Sequence, residues 1–117
     1  MQFNEMPFDD AIPVDAYGPG MFRIAGQAYE GAVLLCGSKV VAWGGYDDPE
    51  ALLAVQDKVD FVIVGTGPEM VHLPRAFRDR MEAEGLGLEP MATGTACRTF
   101  NVLASEGRRV AVALLPV

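Results

Sequence analysis

The sequence is poor in the residues from which small metal centres and nucleophilic sites are built. It holds a single histidine, His72, and two cysteines, Cys36 and Cys97. One His without a Cys/His cluster offers no metal-ligand spacing, and two thiols beside ample apolar residues do not form a disulfide framework. No metal and no cofactor is therefore expected. Basic residues are scarce as well, 9 against 16 acidic ones, for a formal net charge of -7. Phosphate binding draws its affinity from Lys and Arg displacing counterions, so this balance disfavours nucleic acid and anionic membrane surfaces. Long apolar runs are missing, and none nears the ~20 residues needed to span a bilayer. The opening residues, MQFNEMPFDD, carry acids, no basic n-region and no long apolar run. They also lack the Arg- and Ser-rich character of a mitochondrial presequence. A cytoplasmic protein with no direct membrane insertion is expected.

What is present is enough apolar side chain for a real core, 50% of 117 residues. This length fits one domain, residues 1–117, and should bury roughly two-thirds of the surface its unfolded form exposes. Residues 1–20 are rich in Pro, Gly and acids and are expected to be a loose lead-in ending in the turn signal Tyr17-Gly18-Pro19-Gly20. Residues 21–45 are expected to be a β-meander of three strands, Met21–Ala25, Ala32–Cys36 and Lys39–Trp43. Gly37-Ser38 between the last two suits a type II′ hairpin turn, whose first central position requires φ > 0. Asp47-Asp48-Pro49-Glu50 then starts a helix, with an Asp cap before Pro at the first helical position. Ala51, Leu52 and Val55 give that helix an apolar stripe.

From about residue 49 to 117 the pattern becomes an alternation of helix and strand. Phe61-Val62-Ile63-Val64 is a continuous apolar run, as in a strand covered on both faces. A loop follows from Gly65 to Leu73. Pro74 opens a helix to about Glu84, with Phe77 and Met81 facing inward and Gly85 ending it. Leu86–Glu89 is a short strand, and Met91–Gly94 a second loop. A helix from about Thr95 to Glu106 follows, with Gly107 placed to terminate it. Val110–Leu115 is a last apolar strand. Alternation of this kind implies a largely parallel sheet and an α/β class. With strands 61–64 and 86–89 parallel, loops 65–73 and 91–95 open on one edge, the carboxyl edge where open α/β sheets hold ligands.

The runs VGTGPEMVHLP and GLGLEPMATGTACRTFNVLASEGRRVAVAL carry a family resemblance. The resembling positions include Gly65, Gly67, Pro74, Gly87, Glu89, Thr93, Cys97, Arg98, Asn101, Glu106 and Arg108, with Tyr17–Gly20 and Trp43 in the first half. The chain resembles the small-domain family that includes mitochondrial complex I assembly factor three and an adipogenesis-associated human protein. Many bacterial and archaeal members are uncharacterised. The resemblance implies a three-layer α/β domain with a mixed central sheet, one antiparallel strand and an added N-terminal β-meander. It implies no established catalytic residue. By analogy it implies an unidentified protein partner, membrane-complex subunits among the candidates. Two departures stand out: Phe100 where Tyr is common, and Gly94-Thr95 in place of a small, alanine-like pair.

Each candidate site has a functional and a structural reading. Gly65-Thr66-Gly67 could cradle a phosphate with backbone N–H groups. Yet Met70 occupies the place of the third Gly of the dinucleotide fingerprint, and no Gly-Lys-Ser/Thr is present. A tight βα turn is the favoured reading. Cys97 beside Arg98 in a helix's first turn could be an activated thiol, but its apolar spacing with Ala104 favours a buried, core role. His72 could pair with Cys97 as a thiol-imidazole dyad; a surface loop position is favoured. Arg98 could bind an anion, or could pair with Glu89 or another acid to fix helix against sheet. Glu106 and Arg108 should tie down the helix end. Trp43 and the Tyr17–Phe22 segment could be a partner-binding patch or a cover for the meander.

Two functions follow. The first is a non-catalytic protein-interaction or assembly-factor-like domain, monomeric or weakly homodimeric. The second is a small-ligand or anion site, enzymatic if it uses Cys97, built from Gly65, Thr66, Gly67, Thr93, Thr95, Cys97 and Arg98. No catalytic residue can be assigned.

Overall fold

The structure is a computed structural model that describes residues 11–117. The part of the expected lead-in that precedes residue 11 lies outside the described residues. Among the described residues, eight strands form two sheets. Strands β1 (Val14–Gly18), β2 (Met21–Ile24) and β3 (Gln27–Glu30) make a small antiparallel sheet. The main sheet has the order β5-β4-β8-β6-β7. Its strands are β4 (Val33–Cys36), β5 (Lys39–Ala42), β6 (Phe61–Gly65), β7 (Gly87–Met91) and β8 (Val110–Leu114). Three α-helices complete the fold of the described residues: α1 (Pro49–Leu53), α2 (Arg75–Ala83) and α3 (Thr93–Ser105).

The layers follow from the alternation of side chains along each strand. Leu34, Val62, Val64, Ala111 and Ala113 point to one face, where Leu52 of α1 and Phe77 and Met81 of α2 cover them. Val33, Leu35, Ile63, Val110, Val112 and Leu114 point to the other. There they meet Ala96, Cys97 and Phe100 of α3 and, from the small sheet, Val14, Phe22 and Ile24. The result is three layers with a mixed central sheet. Strands β6, β7 and β8 are mutually parallel, and β4 runs antiparallel to β8. Central strands β6 and β8 are apolar throughout because both their faces are covered.

The chain differs from expectation chiefly in its first half. Residues 14–18, expected to be loose, form β1, pinned to β2 with a bulge at Asp15. Only Val14 of this strand is buried, so no apolar pattern announces it. The expected single meander over 21–45 is divided between the two sheets, with the unforeseen β3 between its parts. Strand β3 has no buried residue and so no periodic signal. It returns from β2 by a two-residue turn, Ala25-Gly26, with both residues at positive φ. An alanine there conceals what Asn-Gly would have announced. The Gly37-Ser38 turn does follow the type II′ pattern, with Gly37 at φ 63.

Helix ends were more legible. Pro49 opens α1, but Asp48 caps nothing: its carboxylate accepts the Gly44 N–H at 3.0 Å instead. Helices α2 and α3 both close in Schellman motifs at Gly85 and Gly107, with Leu86 N–H bonding to Met81 O and Arg108 N–H to Leu103 O, each at 3.0 Å. Helix α3 starts at Thr93, two residues before the expected Thr95. Trp43 is core, not surface: it is buried between Tyr46 and Phe77 and donates Nε1–H to Asp48 O at 3.1 Å.

Edge strand β7 carries a further feature. Met91 O accepts the Thr66 N–H, so Met91 and, by alternation, Glu89 and Gly87 bond toward β6. Leu88 and Pro90 therefore face outward. Proline, which lacks a donor, is tolerated in a sheet at this kind of position.

Candidate functional site

The carboxyl ends of β6, β7 and β8 meet at one residue, Thr93. Its side chain is fully buried. Its Oγ1 accepts the Gly67 N–H at 2.8 Å and donates to Leu115 O at 2.6 Å. Its backbone N–H donates to Gly67 O at 2.8 Å. Gly65 lies directly beneath. A Cβ there would stand 2.9 Å from Thr93 Oγ1 and 3.1 Å from Thr93 Cα, so only glycine allows the helix to start this close to the strand. Thr66 organises the loop that follows: its hydroxyl donates to Glu69 O at 2.7 Å and accepts the Val71 N–H at 3.2 Å.

The backbone donors of the turn thus have protein partners. Thr66 N–H goes to Met91 O and Gly67 N–H to Thr93. A phosphate cradle needs such groups directed outward. Gly65, Thr66, Gly67 and Thr93 are brought together as a structural knot. Thr95, Cys97 and Arg98 are not part of it. Arg98 and Cys97 line a different opening, a cleft of about 360 Å³ between α3 and β1 that also involves Tyr17 and Asn101. Thr95 lies at its approach, accepting a 3.3 Å hydrogen bond from Arg98 Nη2. Among the described residues Arg98 makes no ion pair, with Glu89 or any other acid, because its guanidinium turns back along its own helix.

Cys97 is buried, and burial outweighs the nearby Arg98 cation, pushing its thiol up to about 11. The helix N-terminal position therefore does not activate it. Its pH behaviour follows. The neutral thiol is favoured in the fold, so its contribution to stability is complete below the ordinary thiol value and is lost as pH rises toward 11. Iodoacetamide labelling of Cys97 is expected to be slow at pH 7 and to accelerate through pH 9 to 11. Rapid labelling at pH 7 in the folded state would contradict this.

His72 cannot join Cys97. It is exposed and lines a cavity of about 260 Å³ with Arg78 and Met81 of α2 and Pro90 of β7. That cavity belongs to the α2 face of the sheet, whereas Cys97 packs on the α3 face. No group of three His, Cys, Asp or Glu residues arranged to hold a metal occurs among the described residues. At the end of α3, Arg109 makes the tie that Glu106 and Arg108 were expected to make. It donates to Lys58 O at 3.1 Å and Asp57 O at 3.0 Å.

Two side chains near the cleft were not foreseen in their roles. The Asn101 amide clamps β1, accepting the Val14 N–H and donating to Val14 O, both at 2.9 Å. Tyr17 lies against Gly94, where an added Cβ would displace the hydroxyl end of this exposed side chain. The lone Asn on an apolar helix face was the available signal for the clamp. Asn101→Leu is expected to cost about 1–2 kcal/mol, because two backbone groups of β1 lose their partners. Amide exchange of residues 14–17 should quicken more than that of β6. Uniform change across both sheets would argue against a local clamp.

Residues 14–115 match the family model described as "Protein of unknown function (DUF498/DUF598)". The chain belongs to this family. An uncharacterised protein of Rhodobacter capsulatus is 46% identical over 97% of this chain and 92% of its own length. NADH dehydrogenase (ubiquinone) 1 alpha subcomplex assembly factor 3 of Mus musculus is 31% identical over 93% of this chain. This chain spans only 63% of that mouse protein. Among solved structures, one described as an outer membrane protein from Bartonella henselae superposes with a TM-score of 0.81 and 34% identity, covering 94% of this chain and 98% of that one. The family's fold is the mixed α/β arrangement described above. Among the described residues of this member, no helix is long and apolar enough to cross a membrane.

Proposed function

We propose that this chain is a non-catalytic protein-interaction domain of the assembly-factor kind, and that it docks through the carboxyl edge of its main sheet. A contrast at that edge carries the reading. The polar groups of the turn bond to one another, as Thr93 and Thr66 show. Around them stand Tyr17, Met70, Val71 and Val117, four of the six large apolar side chains exposed among the described residues. Hydrogen bonds connect these segments. Val117 O accepts the Gly20 N–H beyond Tyr17, and Thr66 holds Val71. Exposed apolar side chains gathered at one edge, beside polar groups that already have partners, mark an interaction surface more than a small-ligand pocket. The mouse relative named as an assembly factor supports subunits of a membrane complex as the partner class. In this proposal the protein is cytoplasmic, and it is monomeric or weakly homodimeric before docking.

Met70→Asp combined with Val71→Asp tests this. Both side chains are exposed, so the melting temperature should hold. Crosslinked co-purification from the native cell should recover subunits of a membrane-bound complex with the wild type, and about tenfold less with the variant, as for a hot-spot pair. Equal recovery, or no enrichment with the wild type, would refute the reading.

A second reading places an anion in the cleft of Cys97 and Arg98, where Arg98 supplies the cation and Asp15 lines the same cleft as an opposing carboxylate. A metabolite panel should then give thermal shifts that Arg98→Ala abolishes. Shifts that persist in that variant would remove it.

A further inference from the structure

The β4–β5 hairpin ends the main sheet, and among the described residues no strand pairs with the outer edge of β5. Register settles which backbone groups face outward there. Trp43 N–H donates to Ala32 O at 3.0 Å, so by alternation Val41 and Lys39 also bond toward β4. Val40 and Ala42 therefore direct their N–H and C=O groups away from the sheet. An edge of this kind is a template for a further strand.

Side chains give the edge a second property. Lys39 and Val41 stand opposite Cys36 and Leu34, which places them on the face that α1 covers. They border a groove of about 210 Å³ floored by Leu34 and Cys36 and walled by Ala51 and Ala54. Leu34 is core, while Val41 is 40% exposed. The groove is polarised along its length. Lys39 and Cys36 flank the hairpin turn at one end. Burial raises the Cys36 thiol and the Lys58 ammonium opposes the rise, so Lys58 stands at that same end. Val41 and Leu34 lie further along. Lys39 and Lys58 are the only lysines in a chain of net charge -7. Both are exposed, and among the described residues neither makes an ion pair. The hairpin turn lies at the amino end of β8, where Cys36 faces Ala111, and so away from the carboxyl edge.

Charge decides the occupant. A second copy at this edge would bring its own Lys39 and Lys58 to the same face, and the lysines of both would gather along one seam. Like charges across a strand pair destabilise it, and opposite charges stabilise it. We propose that an extended acidic segment of a partner protein adds to β5 as a further strand of the main sheet. It runs antiparallel to β5, with an apolar side chain beside Val41 and, two residues later, an acid beside Lys39 and Lys58. Backbone bonds to Val40 and Ala42 supply affinity, and the apolar side chain fills the groove. The acids set the direction of the segment and the choice of partner. This surface is separate from the carboxyl edge and does not depend on it.

The probe is a blocked peptide, Thr-Val-Thr-Val-Thr-Glu-Thr-Glu, added to the full chain. Nitrogen-15 NMR follows both its affinity and the exchange of single amides. At roughly ten times the measured Kd, exchange of the Val40 and Ala42 amides should slow about tenfold, because only the free fraction exchanges. The Val41 amide, already bonded to β4, should change little. The same peptide with Lys in place of Glu should bind about three- to tenfold more weakly, as expected for two exposed charge pairs. Lys39→Glu with Lys58→Glu should reverse that preference and leave the melting temperature unchanged. Failure of the Glu peptide to bind would overturn the proposal, as would protection confined to amides other than Val40 and Ala42. Equal affinity for the two peptides would overturn it as well, and that comparison needs no variant. Val40 and Ala42 amides already protected before peptide is added would also overturn it. Protection that grows with protein concentration would assign the edge to a second copy, and protection at every concentration to the chain itself.

Discussion

Thr93→Val is expected to destabilise the fold by about 2–4 kcal/mol, lowering the melting temperature by roughly 10–20 °C. Valine preserves the shape of threonine and removes its hydroxyl. The Gly67 N–H and Leu115 C=O would then lose their partner while the space around them stays closed. A stranded donor or acceptor costs about 1–3 kcal/mol, more than the net gain from the bond itself. Thr93 joins the ends of β6 and β8 to the start of α3, so both loops of the carboxyl edge depend on it. Thr93→Ser keeps the hydroxyl and loses one methyl group, at a cost of about 1 kcal/mol. Urea denaturation of the three chains separates the two contributions. If Val and Ser prove equally costly, packing rather than hydrogen bonding holds the knot.

Gly65→Ala is the second large effect, expected at about 2–3 kcal/mol, the upper part of the range for overpacking a filled core. The added methyl group would meet Leu114 Cδ2 at 2.9 Å, Thr93 Oγ1 at 2.9 Å and Thr93 Cα at 3.1 Å. Leu114 is fully buried and has little room to turn aside. Thr93 is held by its own hydrogen bonds. The strand and helix must therefore separate, and the Gly67–Thr93 bond should lengthen with them. Because both substitutions act on the same contacts, the double variant Gly65→Ala, Thr93→Val should cost less than the sum of the two. Full additivity, measured by the same denaturation series, would mean that the sites are independent.

The second half of the fold was legible because its strands are buried on both faces and its helices end at glycines. Phe61–Val64 and Val110–Leu114 are continuous apolar runs, and no other element would place them. The first half was less legible because β1 and β3 bury almost nothing. Backbone bonds, the Asn101 clamp and an alanine at positive φ hold them, and none of these leaves a hydrophobic period. The carboxyl-edge location of loops 65–73 and 91–95 followed from parallel strand order alone. The division of the candidate residues into a closed knot and a separate cleft did not. It depends on where Thr93 Oγ1 and the Arg98 guanidinium point, and side-chain direction is set by neighbours far apart in sequence. The burial of Cys97 was readable from its spacing. The separation of His72 and Cys97 onto opposite faces required knowing which helix covers which side.

Pro90 has a consequence for how copies of this chain can associate. Its ring turns outward on β7 and removes a donor from that rim of the main sheet. The opposite rim, β5, has no such block, and Val41 there is exposed. Two molecules joined rim to rim through β5 about a twofold axis would use up both open rims, leaving proline at either end. Assembly by this route closes at two and does not propagate into a filament.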